Sequence, residues 1–150
     1  MKAITVSKLP ATPETVWRLL NRSDTLCYVA RGVVSFSAAN DFPEQWYLGY
    51  TARTTLRVLG VTSIENYSIQ FVSINKEQFE IHTKEGGGDL KQWDHLMKII
   101  PDSDTDTCWY RDEVEVEAGS RTWLVWLFAK LFYRYRHLRW RLLLKNQVDT

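Results

Sequence analysis

The segment from residue 118 to residue 148 constrains the fold most, because it predicts one long helix with two separate apolar faces. At about 100° of rotation per residue, the broad face consists of Trp123, Leu124, Leu127, Phe128, Leu131, Tyr135, Leu138 and Leu142. A narrower line on roughly the opposite side consists of Trp126, Tyr133, Trp140 and Leu144. An ordinary surface helix has a single apolar stripe. We therefore expect the broad face to cover a core, and the narrow line to meet another part of the chain or a partner.

The charge of the chain is unevenly distributed, although its net charge is only +1. Residues 118–148 contain seven Lys and Arg and no Asp or Glu, whereas the rest of the chain contains twelve basic and eighteen acidic residues. A basic helix on an acidic body is typical of a surface for anionic lipid or nucleic acid, but it also fits basic flanks that face the acidic body or water. The helix has no recognisable DNA- or RNA-binding motif, so we do not expect a nucleic-acid partner.

Length and composition predict a single domain over residues 1–150. A chain of this length that is 45% hydrophobic can bury a sizeable core. The N-terminus has no apolar signal core, and the longest apolar run, residues 123–129, is far shorter than the roughly 20 residues that span a bilayer. Cys27 and Cys108 have no metal-binding spacing and are expected to be buried free thiols, as in a reducing compartment. We therefore expect a cytoplasmic protein without a metal or other cofactor.

The apolar patterning predicts an α+β fold with the order β-αα-β6-α. A strand at residues 2–8 precedes a helix that Thr12 can cap and that Pro13 favours at its first position, and a second short helix is expected at about residues 24–30. From Gly32 onward, apolar residues recur at every second position, as they do in β-strands. Short turns between successive strands favour an antiparallel meander of about seven strands, whose one buried face the long helix would cover.

Three motifs in this order resemble those of the START-like superfamily, also called SRPBCC or Bet v 1-like. They are the helix opening at residues 11–17, a Trp-Asp-His at 93–95 followed by Thr107 and Asp-Glu-Val at 112–114, and the basic aromatic stretch at 132–137. The second motif is similar to a pattern in bacterial members described as polyketide cyclase/dehydratase-like or of unknown function. The resemblance covers nearly the whole chain. It implies the helix-grip fold, in which a curved antiparallel sheet wraps around a long C-terminal helix and can leave a ligand cavity.

His95 and Asp112 are the sharpest candidates for chemistry. His95 lies on the more apolar face of the sixth strand, and Asp112 on the apolar face of the seventh. If these strands pair across a turn near Asp104, His95 falls opposite residue 113, within one register step, and the two side chains become neighbours. A carboxylate beside an imidazole fixes its tautomer and raises its basicity, as a general base requires. The alternative is a buried polar pair that only fixes the strand register.

The same patterning predicts which residues line a cavity and which form an outer surface. The ligand-binding candidates are Tyr50, Thr54, Tyr67, Phe79, Ile81, Trp93, His95, Met97, Tyr110, Asp112, Leu127, Leu131 and Tyr135. The interface candidates on the long helix are Trp126, Tyr133 and Trp140, which suit a membrane surface or a homodimer.

Three hypotheses for the function follow. The first is binding or transport of a hydrophobic small molecule or lipid between the sheet and the long helix. The second is a cyclase- or dehydratase-like enzyme that uses His95 and Asp112 as an acid/base pair. The third is a peripheral membrane or protein-interaction module that uses the outer face of the long helix.

Overall fold

The computed structural model describes residues 1–148, and within this range its elements follow the predicted order. The strands and helices are β1 (Lys2–Leu9), α1 (Pro13–Leu20), α2 (Ser23–Ala30), β2 (Val34–Phe36), β3 (Thr51–Val58), β4 (Thr62–Asn75), β5 (Glu80–Gly87), β6 (Leu90–Pro101), β7 (Cys108–Glu117) and α3 (Thr122–Val148). Short 3₁₀ turns occupy Ala39–Asp41 and Gly119–Arg121. Both cysteines are free thiols; Cys108 is buried and Cys27 half-buried.

The seven strands form one antiparallel sheet in the order β1-β7-β6-β5-β4-β3-β2. Strands β2 to β7 are neighbours in chain order, as short connections favour, and β1 returns to pair with β7. Register shifts next to Thr54, Phe71 and Glu85 mark β-bulges, which bend the strands and increase their twist. The sheet is therefore curled, and α3 packs across it against β1 and β7 and beside α2. This architecture confirms the predicted helix-grip fold.

Strict alternation of side chains sets the buried face of the sheet. Strand β6 buries every second residue from Trp93 to Ile99, and β7 does so from Cys108 to Val116. His95 pairs with Val114 across these strands, one step from the predicted partner position. At the other end of the chain, the Thr12 side chain accepts a hydrogen bond from the Thr15 backbone N–H at 3.2 Å, so α1 begins as predicted.

The prediction of which face of α3 covers the core was wrong, because the two apolar faces have exchanged roles. Tyr133, Trp140 and Leu144 from the narrow line are at most 3% exposed. In contrast, six residues of the broad face are between 42% and 61% exposed: Trp123, Leu124, Leu127, Leu131, Leu138 and Leu142. The broad face therefore points away from the sheet.

The inward face of α3 carries two basic side chains, which explains this reversal. Arg136 and His137 are each only 4% exposed and lie on the same side of the helix as Trp140. Charged side chains are buried only where partners compensate them. The sheet supplies the buried carboxylate of Asp112 and the half-buried carboxylate of Glu85, and their charges favour the Arg136 cation, so an inward face of mixed polarity is tolerated. A pattern based on hydrophobicity alone counts such residues as surface and selects the wrong face.

A matched pair of leucines on α3 tests this orientation. Leu144→Ala removes a side chain that is 2% exposed and should lower the free energy of unfolding by about 3 kcal/mol. Leu142→Ala changes a side chain that is 47% exposed and should lower it by less than about 0.5 kcal/mol. Urea unfolding of both variants measures the difference. A larger loss for Leu142→Ala would contradict the orientation described here.

Candidate functional site

A cavity of about 760 Å³ lies between the sheet, α2 and α3. Most of its walls are apolar. They include Leu26 and Val29 of α2, Ile69 and Phe71 of β4, and Phe128 and Phe132 of α3. A cavity of this volume with apolar walls and few polar groups is typical of a small-molecule site.

One end of the cavity reaches the surface of the protein. Its lining there includes the exposed residues Asn66, Asp89, Arg121 and Leu124. These residues come from β4, from the turn between β5 and β6, and from the chain at the start of α3. The mouth therefore opens beside the N-terminal turn of the long helix.

A buried carboxylate forms the centre of a polar cluster at one wall of the cavity. Asp112 is 1% exposed, and its Oδ1 lies 2.6 Å from Nε2 of His95 and 3.1 Å from the hydroxyl of Tyr110. Its Oδ2 lies 2.9 Å from Nε2 of His137. The other ring nitrogen of His137, Nδ1, lies 2.5 Å from the hydroxyl of Ser7 on β1. Three elements of the fold, β6, β7 and α3, thus meet at Asp112, and β1 joins the cluster through His137.

The environment of Asp112 keeps it ionised. Burial by itself would raise the pKa of Asp112, but the nearby Arg136 guanidinium and the two imidazoles outweigh burial and hold that pKa well below its usual range. An ionised carboxylate can only accept hydrogen bonds. His95 and His137 must therefore each carry a proton on Nε2, and the Ser7 hydroxyl can donate to Nδ1 of a neutral His137.

The second ring nitrogen of His95 faces a chain of polar groups. Nδ1 lies 3.4 Å from the hydroxyl of Tyr133, which accepts a hydrogen bond from Nε1 of Trp93 at 3.2 Å. Nδ1 also lies 3.8 Å from Oε1 of Glu85. Burial by itself would lower the pKa of His95, but Asp112 and Glu85 outweigh it and raise the pKa. His95 is therefore protonated to a larger extent at neutral pH than a free imidazole, and its neutral form is a stronger base.

Glu85 is the second acidic group of the cluster. Its Oε2 accepts a hydrogen bond from Tyr67 at 2.6 Å, and its Oε1 accepts one from Thr83 at 2.8 Å. Burial by itself would raise the pKa of Glu85, but hydrogen bonds and the His95 imidazole lower it. The polar cluster therefore holds two carboxylates that already have donors, and of these Glu85 lines the cavity.

Five of the predicted ligand-binding residues line the cavity: Tyr67, Ile81, Trp93, His95 and Met97. Asp112 and Tyr110 are buried beside His95 but do not line it. Thr54 is also buried, and its hydroxyl accepts a hydrogen bond from the backbone N–H of Ala38.

Two further candidates, Tyr50 and Phe79, do not line the cavity, and each lies in the chain directly before a strand. Tyr50 precedes β3 and packs against the rings of Tyr47 and Trp46. Phe79 precedes β5, in a turn with a φ of +53°, and its ring packs against Trp17.

The predictions for α3 side chains need correction, because they followed the wrong helix face. Leu127 and Leu131 lie on the exposed face, and the hydroxyl of Tyr135 donates to the carbonyl of Arg31; none of the three lines the cavity. Tyr133 and Trp140, predicted as an outer interface, are buried and line it.

Trp126, the third predicted interface residue, is only half-buried. Its Nε1 donates to the Lys2 carbonyl at 2.7 Å, and the Lys130 ammonium lies 4.8 Å from the centre of its ring. Trp126 thus anchors α3 to β1.

Sequence reasoning missed three charged or titratable members of the cluster: Glu85, Arg136 and His137. Glu85 directly precedes three glycines. Their turn signal obscured the fact that Glu85 ends a row of inward-facing strand residues. Arg136 and His137 were noticed only as basic neighbours of aromatic residues. Two adjacent basic residues within a row of buried aromatics were the available signal.

Comparison with solved structures identifies the fold. A protein from Chromobacterium violaceum is 12% identical over 95% of this chain and 96% of its own, with a TM-score of 0.73. A START superfamily protein from Mycobacterium smegmatis is 12% identical over 97% of this chain and 98% of its own, with a TM-score of 0.66. The chain has the START-like helix-grip fold.

The START-like fold also occurs in an enzyme. Norcoclaurine synthase from Thalictrum flavum, solved in complex with dopamine and hydroxybenzaldehyde, is 10% identical over 92% of this chain and 85% of its own, with a TM-score of 0.61. No model of a known family matches this chain, and no curated protein matches it in sequence. At such low identities, the structural similarity establishes only the fold, and the activity must be argued from the residues of the site.

Substitution of the central carboxylate tests its structural role. Asp112→Asn leaves Arg136 and the two histidines without their anion, so it should lower the free energy of unfolding at neutral pH by about 3 kcal/mol. The ionised form of Asp112 stabilises the fold above its unfolded pKa of about 3.9, and this stabilisation is lost as pH falls through the lowered folded-state pKa. The variant should therefore lose less stability on acidification than the wild type.

Urea unfolding across a series of acidic pH values measures both effects of Asp112→Asn. Asp106→Asn, at an exposed turn position, is the matched control and should change little. Equal stability of the Asp112→Asn variant and the control would contradict the role assigned to Asp112.

Proposed function

We propose that this protein binds or transports a hydrophobic small molecule or lipid in the cavity between the sheet and α3. The observation that carries the proposal is the cavity of about 760 Å³ itself, which has apolar walls, one polar wall and a mouth at the surface. Such an arrangement buries the apolar body of a ligand and orients one polar end. The START-like fold is shared with proteins that hold small molecules, as norcoclaurine synthase does with dopamine.

A substitution that fills the cavity tests this proposal. Val125 lines the cavity on α3, so Val125→Trp should weaken binding of the neutral apolar dye N-phenyl-1-naphthylamine by at least about tenfold, since the ring occupies the ligand volume. Leu138→Trp on the exposed face of the same helix is the control and should bind like the wild type. Fluorescence titration measures both affinities. An absence of saturable dye binding to the wild type would overturn the proposal.

The natural ligand can be sought directly in the purified protein. Mass spectrometry of small molecules extracted from it should yield an apolar compound that Val125→Trp does not retain. The free thiols of Cys27 and Cys108 are compatible with a reducing cytoplasm, where we place this activity.

The enzymatic alternative rests on His95, which lines the cavity and contacts Asp112 at 2.6 Å. A cyclase- or dehydratase-like reaction would use its Nδ1 side, where Tyr133 and Glu85 could pass a proton to or from the ligand. Conversion of an extracted compound that His95→Gln abolishes without loss of binding would favour this alternative. Binding without conversion in the wild type would exclude it for that compound.

A second candidate function is contact with an anionic membrane surface through the exposed face of α3. None of the helices in residues 1–148 is long and apolar enough to cross a bilayer. The six exposed apolar residues of α3 form a continuous stripe from Trp123 to Leu142. Exposed basic residues flank this stripe: Arg121, Arg134, Arg141 and Lys145.

The charge of this face favours lipid over a protein partner. Residues 118–148 contain no acidic residue that would repel anionic headgroups. A helix with an apolar stripe and basic flanks lies in the headgroup region, where the apolar side chains enter the acyl boundary and the basic ones meet the phosphates. Leu124 belongs both to this face and to the mouth of the cavity, so docking would bring the mouth to the bilayer.

Vesicle binding tests this second candidate. The wild type should bind vesicles that contain phosphatidylglycerol, should not bind pure phosphatidylcholine vesicles, and should bind more weakly as salt screens the headgroups. Combined Leu131→Gln and Leu138→Gln should weaken binding by at least about tenfold, because they remove apolar area from the stripe.

Ile4→Gln with Val6→Gln, on the exposed face of β1, removes comparable apolar surface elsewhere and serves as the control. If both double variants bind the anionic vesicles equally, the exposed face of α3 is not the docking surface. A concentration-dependent dimer of the wild type that only the α3 variant disrupts would identify a second copy as the occupant instead.

A further inference from the structure

Two buried hydrogen-bond donors beside the cavity have no partner. Among the described residues, Nε of Arg136 and Nε1 of Trp140 are fully enclosed and make no hydrogen bond. Both side chains line the cavity, and they lie one turn apart on the inward face of α3. A buried donor without an acceptor destabilises the fold, and more so when it is charged. Two such donors at one wall indicate that an acceptor is supplied from outside the chain.

Arg136 is the stronger of the two donors. Its guanidinium has five N–H groups, and it lies 5.1 Å from the ring centre of Tyr133 and 5.9 Å from that of Phe132. It makes no ion pair within 4.0 Å among residues 1–148. Its positive charge is therefore balanced at a distance by Asp112 and Glu85 but is not contacted by either.

Every carboxylate oxygen of Asp112 and Glu85 already accepts a hydrogen bond from another side chain, and none of them lies within 4.0 Å of a guanidinium nitrogen of Arg136. Both oxygens of Asp112 accept from His95, Tyr110 and His137, and both oxygens of Glu85 accept from Tyr67 and Thr83. A rotation of either carboxylate toward Arg136 would break these bonds. The polar wall is thus complete except for an acceptor opposite the guanidinium.

We propose that Arg136 and Trp140 form a subsite for a carboxylate at the polar end of the ligand. This inference rests on the proposed ligand-binding function and narrows the ligand to an amphipathic acid whose apolar body fills the cavity. A planar carboxylate matches the fork of N–H groups on a guanidinium, and charge-assisted hydrogen bonds are about twice as strong as neutral ones. The indole N–H of Trp140 adds one further donor on the same wall.

The test compares ligands that differ only at the polar end. Dodecanoate, methyl dodecanoate and 1-dodecanol are titrated against wild-type protein that holds N-phenyl-1-naphthylamine, and dye release is measured. Dodecanoate should displace the dye at a concentration at least about tenfold lower than the ester or the alcohol, because only dodecanoate offers an oxyanion to Arg136.

Three results would overturn all or part of the inference. If the ester or the alcohol displaces the dye as well as the acid, the carboxylate subsite is wrong while the ligand-binding function stands. If the wild type does not bind the dye and none of the three compounds binds in a direct calorimetric titration, the ligand-binding function fails together with the subsite. If only the alcohol competes, the polar end is a hydroxyl.

Substitutions identify the residues that produce the preference for dodecanoate. Arg136→Met should remove the preference for dodecanoate and leave the affinity for the ester within about twofold, whereas Arg134→Met on the exposed face should leave both unchanged. Trp140→Phe keeps an aromatic ring in the core and removes the N–H together with part of the indole, so it tests the second donor. If Arg136→Met does not fold, the comparison of dodecanoate with its ester in the wild type decides the question. If Trp140→Phe keeps the full preference for dodecanoate, Trp140 is not part of the subsite. If a folded Arg136→Met keeps that preference, the carboxylate subsite is wrong.

Discussion

The buried carboxylate of Asp112 is the constraint on which the rest of the structure depends. A fully buried charge is tolerated only when it is paired and hydrogen-bonded, and Asp112 obtains its donors from β6, β7 and α3. These bonds fix the register between β6 and β7 and the rotation of the long helix above them. Because His137 must face Asp112, the whole inward face of α3 is determined.

This rotation has a consequence for the outer surface. Once Arg136, His137 and Trp140 face the sheet, the leucines at 127, 131 and 138 must face away from it. Exposed apolar area of this extent is unusual for a free surface and is typical of an interaction site. The rotation of α3 that places its polar side chains at the cavity therefore also exposes its apolar outer face. Leu124 belongs to both that outer face and the mouth of the cavity.

Most of the fold could be predicted from the sequence, because strands with alternating burial, such as β6 and β7, depend on local patterning. The contact between His95 and Asp112 was predictable for the same reason, since both positions follow from alternation and one turn. The orientation of α3 was not, because its inward face is chosen by carboxylates more than 20 residues away in sequence. Hydrophobicity ranks Arg136 and His137 as surface residues, and only the position of Asp112 in three dimensions reverses that ranking.

The polar cluster contains groups suited to binding and a group suited to acid–base chemistry. Asp112 accepts a hydrogen bond from Nε2 of His95 and, against the effect of burial, raises the pKa of His95, while the Tyr133 hydroxyl lies 3.4 Å from Nδ1. His137 is likewise bonded at both nitrogens. Among the buried side-chain atoms of residues 1–148, only Nε of Arg136 and Nε1 of Trp140 lack a partner, and such donors can bind an acceptor but cannot remove a proton. If the proposed carboxylate subsite holds the ligand, any acid–base step at His95 would act on a ligand whose polar end is already fixed.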